Sequence, residues 1–274
     1  MTLPLLEVRD LSVTFPLQRG VLRHRRHFTA VDGISFTVRP SETLAIVGES
    51  GSGKSTTGYA ILGLVRPSGG KILFNGIDLA SLDRVGRLEM ARHIQIIYQD
   101  PSAALDPRFT IARSIGEPLL LHSLGSASDR ARRVNELLDA VGLAPEIAGR
   151  FPNQISGGQR QRAVIARALA LNPRLIVCDE AVSALDVSIR SQILNLLMDL
   201  QASFGLSYLF ISHDLSVVRH ISDRVIVINS GRIVEEGDTD SIFSNPLHDY
   251  TKALIAAIPI PDPSRRRRRP LRPD

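Results

Sequence analysis

The sequence predicts an α/β fold: a mainly parallel sheet with helices on its faces and a helical block inserted into it. Three observations carry this. Short apolar runs at residues 43–47, 175–178, 208–211 and 225–228 alternate with segments of helical periodicity, the order expected of strand–helix–strand units. The run at 175–178, Leu-Ile-Val-Cys, is uninterrupted, as in a strand covered on two sides rather than one. A glycine-rich stretch beginning at Gly48 separates the first run from a helix-forming segment, so the chain passes directly from strand to helix there.

Taken in order, residues 8–15 and 34–38 alternate apolar and polar side chains as half-exposed strands do, and the basic segment 19–27 between them reads as an exposed loop. The apolar strand 43–47 is followed by a helix expected over 54–65, and 71–74 and 94–98 read as further short strands. From 99 to about 171 the character is helical, which makes this block an insertion into the sheet. Within it, 128–141 is charged on one side and carries Val134, Leu137, Leu138 and Val141 on the other. A helix is expected over 188–203, where Ile189, Ile193, Leu196, Leu197 and Leu200 recur at helical spacing and Gly205 is a suitable stop. Ser230 and Gly231 then turn the chain into a last strand at 232–235, and no internal repeat is visible.

Composition narrows the function classes. Of the 274 residues, 43% are hydrophobic and 22% charged, ordinary values for a soluble globular chain. The formal net charge is +5, but the last ten residues hold six Arg and one Asp, so the remainder is neutral. A protein built to lie along nucleic acid carries its positive charge on the folded surface, so no specific nucleic-acid partner is expected. Residues 259–274, rich in Pro and Arg, are expected to form a disordered tail. Its Arg265–Arg269 run reads as solvated, with contact to anionic lipid or weak, salt-sensitive nucleic-acid binding as alternatives. A single cysteine, Cys178, excludes an internal disulfide framework and a thiolate-clustered metal site, and its place in a buried strand makes it a small core residue. The longest apolar runs, such as 253–260, are about half of what a bilayer span needs, and the first residues lack the charged and apolar regions of a secretory signal. The expectation is a soluble cytoplasmic protein.

Gly48, Glu49, Ser50, Gly51, Ser52, Gly53, Lys54 and Ser55, followed by Thr56, fit the G-x-x-x-x-G-K-[ST] pattern of a phosphate-binding P-loop, with the required strand before it and helix after it. Glycines let backbone N–H groups turn toward an anionic phosphate, and the helix N-terminus adds its positive end. Lys54 would reach the β- and γ-phosphates, and the Ser55 hydroxyl could coordinate Mg²⁺. The chain is therefore expected to bind a nucleotide.

Such a loop needs an acid delivered by a second strand. Leu175–Asp179 with Glu180 supplies two: Asp179 to hold Mg²⁺ through water, and Glu180 to polarise the water that attacks the γ-phosphate. His213 ends the strand at 208–212, and Gln99 follows the strand at 94–98, where its amide could sense metal or attacking water. Ligands of parallel sheets collect outside the carboxyl ends of the strands, so Lys54, Glu180 and His213 are expected to converge.

Ile155, Ser156, Gly157, Gly158, Gln159, Arg160, Gln161 and Arg162 open a helix running to about Leu171. Ser156 and Gln159 have capping-box spacing. Capping does not require two glycines in the first turn, where each costs about 1 kcal/mol against alanine. They make sense where another molecule's phosphate approaches the backbone.

Together, the P-loop, Gln99, Ser156-Gly157-Gly158-Gln159, Asp179-Glu180, Ser183-Ala-Leu-Asp186 and His213 resemble, in order and spacing, the ATP-binding subunit of ABC transporters, over about residues 5–260. The signature departs only in Ile155, where Leu is usual. The resemblance implies a P-loop NTPase fold of RecA-like type, with an antiparallel β subdomain and an inserted α-helical subdomain at about 99–171. It sets the ATP-binding domain at 1–258 and the tail at 259–274. It implies that two cassettes, identical or paralogous, pair head to tail, so that Ser156, Gly157 and Gly158 cap ATP held by the partner's P-loop. Glu180 would be the catalytic base, His213 the γ-phosphate switch, Asp186 part of the dimer contact, and Ser55, Gln99 and Asp179 the surroundings of Mg²⁺. Phe15 would stack on adenine, with Phe28 as the alternative.

Within the family, the stretches 48–56, 99–107, 179–188 and 245–254 look like the subunits of oligopeptide, dipeptide and nickel importers; many such subunits continue into a cysteine-bearing C-terminal segment, where this sequence has Arg265–Arg269 and no such cysteines. The implied partners are two integral membrane permease subunits, contacted around 99–107, and, indirectly, an extracytoplasmic solute-binding protein. The implied location is the cytoplasmic face of the inner membrane, as a peripheral subunit. An exporter cassette, or a soluble ABC ATPase acting in translation or DNA maintenance, remain the alternatives, because fold and catalytic motifs do not encode direction or cargo.

Overall fold

In the computed structural model, which describes residues 3–17 and 26–258, the chain opens with two long antiparallel strands, β1 (Leu6–Leu17) and β2 (Arg26–Val38). β3 (Thr43–Val47) founds a second sheet and leads through the glycine-rich loop into α1 (Lys54–Ile61). β4 (Gly69–Phe74) and β5 (Ile77–Asp78) return to the first sheet, whose order is β2-β1-β4-β5. α2 (Arg84–His93) and β6 (Ile94–Ile97) bring the chain back to the second sheet. Four α-helices follow before the next strand: α3 (Pro101–Ala104), α4 (Ile111–Leu121), α5 (Ala127–Ala140) and α6 (Gly157–Leu169). The remainder alternates: β7 (Leu175–Asp179), α7 (Val187–Phe204), β8 (Ser207–Ser212), α8 (Leu215–Ile221), β9 (Arg224–Asn229), β10 (Arg232–Asp238), α9 (Thr239–Ser244) and α10 (Asp249–Ala256).

The second sheet has the order β10-β9-β3-β8-β7-β6, parallel throughout except for β10, which pairs antiparallel with β9. Its unbroken apolar runs are explained by burial on two sides. With a side-chain period of two, Ala45, Val47, Ile176, Cys178, Tyr208 and Phe210 join the core beneath α4–α8. Their neighbours Leu44, Ile46, Leu175, Val177, Leu209 and Ile211 join a second core shared with β1, β2 and α1. Truncating any of the leucines or isoleucines among these to alanine costs about 2–5 kcal/mol, since both faces of the sheet are covered. Cys178 is fully buried, and burial pushes its thiol well above the usual range. The native protein should therefore leave it unalkylated by iodoacetamide for hours, with complete alkylation in guanidinium. Intact-mass analysis reads this, and fast native labelling would contradict the packing described here.

The expected elements are present, with several boundaries moved. α1 ends at Ile61 rather than near Val65. Gly63 adopts φ 72°, and the bonds from Leu64 N–H to the Tyr59 carbonyl (2.9 Å) and from Gly63 N–H to the Ala60 carbonyl (3.1 Å) close a Schellman cap. β2 starts earlier than expected, because His27 and Phe28 pair with Pro16 and Phe15. The expected loop at 19–27 is thus partly strand; its residues 19–25 lie outside the described residues, as does the expected tail at 259–274. α7 ends as predicted at Gly205, which adopts φ 64°. β5, α2 and α8–α10 were not predicted. Among the described residues no helix is long and apolar enough to cross a membrane.

Candidate active site

β3 lies between β8 and β9, so the loop after Val47 emerges where the connections diverge to either side of the strand, the usual crevice for ligands of open parallel sheets. Two of its glycines are required by close packing. A Cβ on Gly48 (φ 153°) would lie 2.1 Å from the Ile228 carbonyl oxygen, and one on Gly53 (φ 105°) 2.3 Å from that of Ala30. Gly51 faces open space. The loop is pinned by Gly231 N–H to the Ser52 carbonyl (2.9 Å), and Gly231 in turn accepts from Asp32 N–H (2.9 Å). Glu49 and Ser50 are exposed, and Thr56 is half-buried beside Ser55 at the start of α1.

Lys54 is only 5% exposed, and its ammonium donates to the carbonyls of Gly48 (2.9 Å) and Glu49 (2.7 Å). Burial lowers its pKa, opposed by the nearby charges of Glu180, Asp179 and Glu49. Two of the three ammonium protons are thus directed to the loop, leaving the third for an anion. Ser52 Oγ is buried without a hydrogen-bond partner among the described residues and would lie 2.8 Å from a Cβ on Gly48, a further polar group within the same loop. These features fit a phosphate.

Asp179 ends β7 and is 6% exposed. Its Oδ1 accepts from Ser55 Oγ at 2.8 Å and its Oδ2 from the Tyr59 hydroxyl at 2.8 Å. Ser55 and Tyr59 are four residues apart on α1 and so share a face, which is how one carboxylate meets both. Burial and the bond to Asp179 push Tyr59 up to about 12, so it stays a donor at any physiological pH. A hydroxyl beside a carboxylate is a hard-oxygen pair, the donor chemistry that suits Mg²⁺. Among the described residues no group of three or more His, Cys, Asp or Glu is placed to hold a metal ion by itself, so such an ion here would draw its other oxygens from phosphate and water. Tyr59 was missed in the sequence; its spacing from Ser55 was the available signal.

Glu180, the next residue, has φ 51°, a conformation costly for a non-glycine residue and held by its N–H bond to the Ile211 carbonyl at 2.9 Å. This turn throws its carboxylate away from Asp179 and toward β8, where Oε1 lies 2.8 Å from His213 Nδ1. The Glu180 side chain is 21% exposed and that of His213 56%, so the pair stands at the solvent edge of the site. Lys54, Ser55, Asp179, Glu180 and His213 are thus assembled at the carboxyl ends of β3, β7 and β8. Gln99 follows the edge strand β6 by two residues and is exposed next to this row.

Phe15 and Phe28 prove to be cross-strand partners, 39% and 50% exposed, with side chains on the same face of the first sheet. Phe28 is two residues from Ala30, whose carbonyl oxygen would lie 2.3 Å from a Cβ on Gly53, so β2 runs past the P-loop near this pair.

Ser156, Gly157, Gly158 and Gln159 open α6 with the full capping box: Gln159 N–H donates to Ser156 Oγ (3.2 Å) and Ser156 N–H to Gln159 Oε1 (3.0 Å). The two glycines differ. A Cβ on Gly157 would meet nothing within 4 Å, leaving its backbone open to another molecule, whereas one on Gly158 would stand 3.0 Å from Ile189 Cγ2 of α7. Gly158 therefore also serves helix–helix packing, a reason the sequence did not reveal. Gln161, buried one turn later, donates from Nε2 to the Ala181 carbonyl (2.8 Å) and ties α6 to the loop that carries Glu180. Asp186 is exposed at the start of α7, and Arg190 bridges this loop to the next by donating to the Leu185 carbonyl (3.3 Å) and to Asp214 (2.7 Å).

Comparison with known proteins places this geometry. A family profile described as ABC transporter matches residues 31–183, and one described as oligopeptide/dipeptide transporter, C-terminal region, matches 234–274. The chain is 57% identical over 266 residues to the glutathione import ATP-binding protein GsiA of Escherichia coli strain K12, covering 96% of this chain and 42% of that protein. It is 56% identical over 268 residues to the protein of the same name from Salmonella choleraesuis strain SC-B67, covering 97% and 43%. The chain thus spans about two fifths of the length of these curated relatives. Among solved structures, cbiO1 of Clostridium perfringens, part of the ABC transporter complex cbiONQ, aligns with a TM-score of 0.77 at 26% identity, covering 88% of this chain and 91% of that one. The bacterial ABC transporter cassette MJ0796, in a dimeric post-hydrolysis state bound to ADP and Pi, aligns at 0.74 with 30% identity, covering 85% and 98%. With the first family profile spanning more than half of the 274 residues, on a fold and site that fit it, the chain belongs to the ABC transporter family.

Proposed function

We propose that the chain is the ATP-binding and ATP-hydrolysing cassette of an ABC importer of the oligopeptide/dipeptide type, energising peptide uptake from the cytoplasmic face of the membrane. The observation that carries this reading is the assembly of Lys54, Ser55, Asp179, Glu180 and His213 at the carboxyl ends of three neighbouring strands, with the Gly157 backbone left open at the start of α6. Peptides are the solute class because the relatives are named for glutathione, a tripeptide, and the C-terminal profile for oligopeptides and dipeptides.

In this reading the P-loop N–H groups and Lys54 hold the phosphates of ATP, while Phe15, or Phe28 across the ladder, stacks on adenine. Ser55 and Asp179 would hold magnesium, with Gln99 beside it; the ion, when bound, neutralises charge shared between the β- and γ-phosphates. Glu180 accepts a proton from the attacking water, and His213, 2.8 Å from it, holds its carboxylate and contacts the γ-phosphate. Ser156, Gly157, Gly158 and Gln159 would complete the site of a second cassette, identical or paralogous, presenting the N-terminal end of α6 to its ATP. Asp186 lies in the contact between the two. Two integral membrane permeases would form the path, and a solute-binding protein outside the membrane would deliver the peptide.

Isolation from native membranes tests the assembly. The tagged full-length chain should copurify with two polytopic membrane proteins and a second cassette. Recovery only as a freely soluble protein, after gentle detergent extraction at low salt, would contradict the importer reading.

A further inference from the structure

The P-loop is held from outside by α10, far away in sequence. The Tyr250 hydroxyl accepts a hydrogen bond from Glu49 N–H at 3.0 Å, across 201 residues of chain. Glu49 N–H belongs to the same peptide unit as the Gly48 carbonyl, which accepts from Lys54 Nζ at 2.9 Å. One planar peptide is therefore gripped on both edges, by Tyr250 at its N–H and by the buried lysine at its C=O. The adjoining Gly48, at φ 153°, offers little resistance to rotation of that plane, so an external grip has something to do.

Tyr250 is itself fixed. The Glu235 carboxylate of β10 accepts from Leu247 N–H (2.7 Å) and His248 N–H (3.0 Å), and His248 Nδ1 caps α10 by accepting from Tyr250 N–H (3.1 Å). Partial burial works against ionisation of Glu235, yet these N–H groups keep its carboxyl below the usual range. The Tyr250 ring packs on the helix-side core, which leaves its hydroxyl directed at the loop.

We propose that Tyr250 is a positioning residue for nucleotide binding. By fixing the Gly48–Glu49 peptide it holds the carbonyl that aims Lys54, and Glu235 holds Tyr250 in place. This rests on the nucleotide-binding reading above and extends it to a residue outside the family's nucleotide motifs. The C-terminal segment thereby becomes a mechanical input to the phosphate cradle.

The test has two arms on the full chain. In the nucleotide-free protein, Y250F should speed hydrogen exchange at the Glu49 amide about tenfold or more while protection across β3 and α1 stays at wild-type levels. Titration with ADP should then show roughly three- to tenfold weaker binding for Y250F, the loss of one hydrogen bond. Glu235→Ala should weaken binding similarly, and the double variant should be no worse than the weaker single one, since both act through one contact. In hydrolysis assays of the assembled complex, KM for ATP should rise more than kcat falls. Unchanged Glu49 exchange in Y250F, additive losses in the double variant, or exchange rising throughout β3 and α1 would each overturn the proposal. Wild-type protein that fails to bind nucleotide would instead sink the reading on which it stands, and the exchange arm separates the two cases because it needs no nucleotide.

Discussion

Replacing Glu180 with glutamine should leave ATP binding within about threefold of wild type while cutting turnover roughly 10²- to 10⁴-fold, the usual worth of a positioned general base. The asymmetry follows from geometry. In the proposed mechanism phosphate affinity comes from the loop, Lys54 and the Ser55–Asp179 pair, none of which bonds to the Glu180 side chain. Glutamine is isosteric and keeps an oxygen to face His213 Nδ1, so the 2.8 Å contact can survive with the imidazole as donor. What is lost is the capacity to take a proton from water. The residue also sits at φ 51°, a strained position that the substitution does not relieve, so a change in folding is not expected to confuse the result. Single-turnover hydrolysis beside equilibrium binding reads both quantities. A variant retaining most of the wild-type rate would remove Glu180 from the mechanism.

Lys54→Ala should act on binding itself, weakening nucleotide affinity by roughly 10²-fold, the scale of one or two charge-assisted hydrogen bonds to phosphate. Lys54 is 5% exposed and burial lowers its pKa, so its charged form sits in a costly place where a bound anion would offset the cost. The substitution also strands the Gly48 and Glu49 carbonyls. Lys54→Met keeps most of the volume and removes the ammonium with its hydrogen bonds, so comparing it with Lys54→Ala separates packing from charge. Calorimetric titration of both variants should give similar losses; near wild-type affinity in Lys54→Met would mean that packing, not charge, is what the lysine supplies.

Much of this was legible because the chemistry is local. Strands β3, β7 and β8 announce themselves as unbroken apolar runs, since both faces of the sheet are covered. The P-loop glycines and the adjacent acids of 179–180 fix their own surroundings, and Gly205 ends α7 at φ 64° as its type requires. Other elements carried no such pattern. α2 exposes its own apolar residues, with Val85 at 73% and Leu88 at 56%, so no buried stripe marks it. α8, with seven residues, is too short for a helical period to show. The site residues that escaped notice, Tyr59, Gln161 and Tyr250, act through partners 120, 20 and 201 positions away, and only the folded chain brings those pairs together. Gly158 was credited to phosphate approach alone, because its neighbour Ile189 comes from another helix.

In its assembled transporter this chain should hold and cleave ATP at the carboxyl ends of β3, β7 and β8. The direct measurement is phosphate release by the complex reconstituted in lipid vesicles with peptide and its binding protein, run in parallel with wild-type and Glu180→Gln cassettes. The prediction is magnesium-dependent release for wild type and a fall of at least about 10²-fold for the variant, with nucleotide still bound. Equal rates from the two complexes, or no bound nucleotide in either, would contradict it.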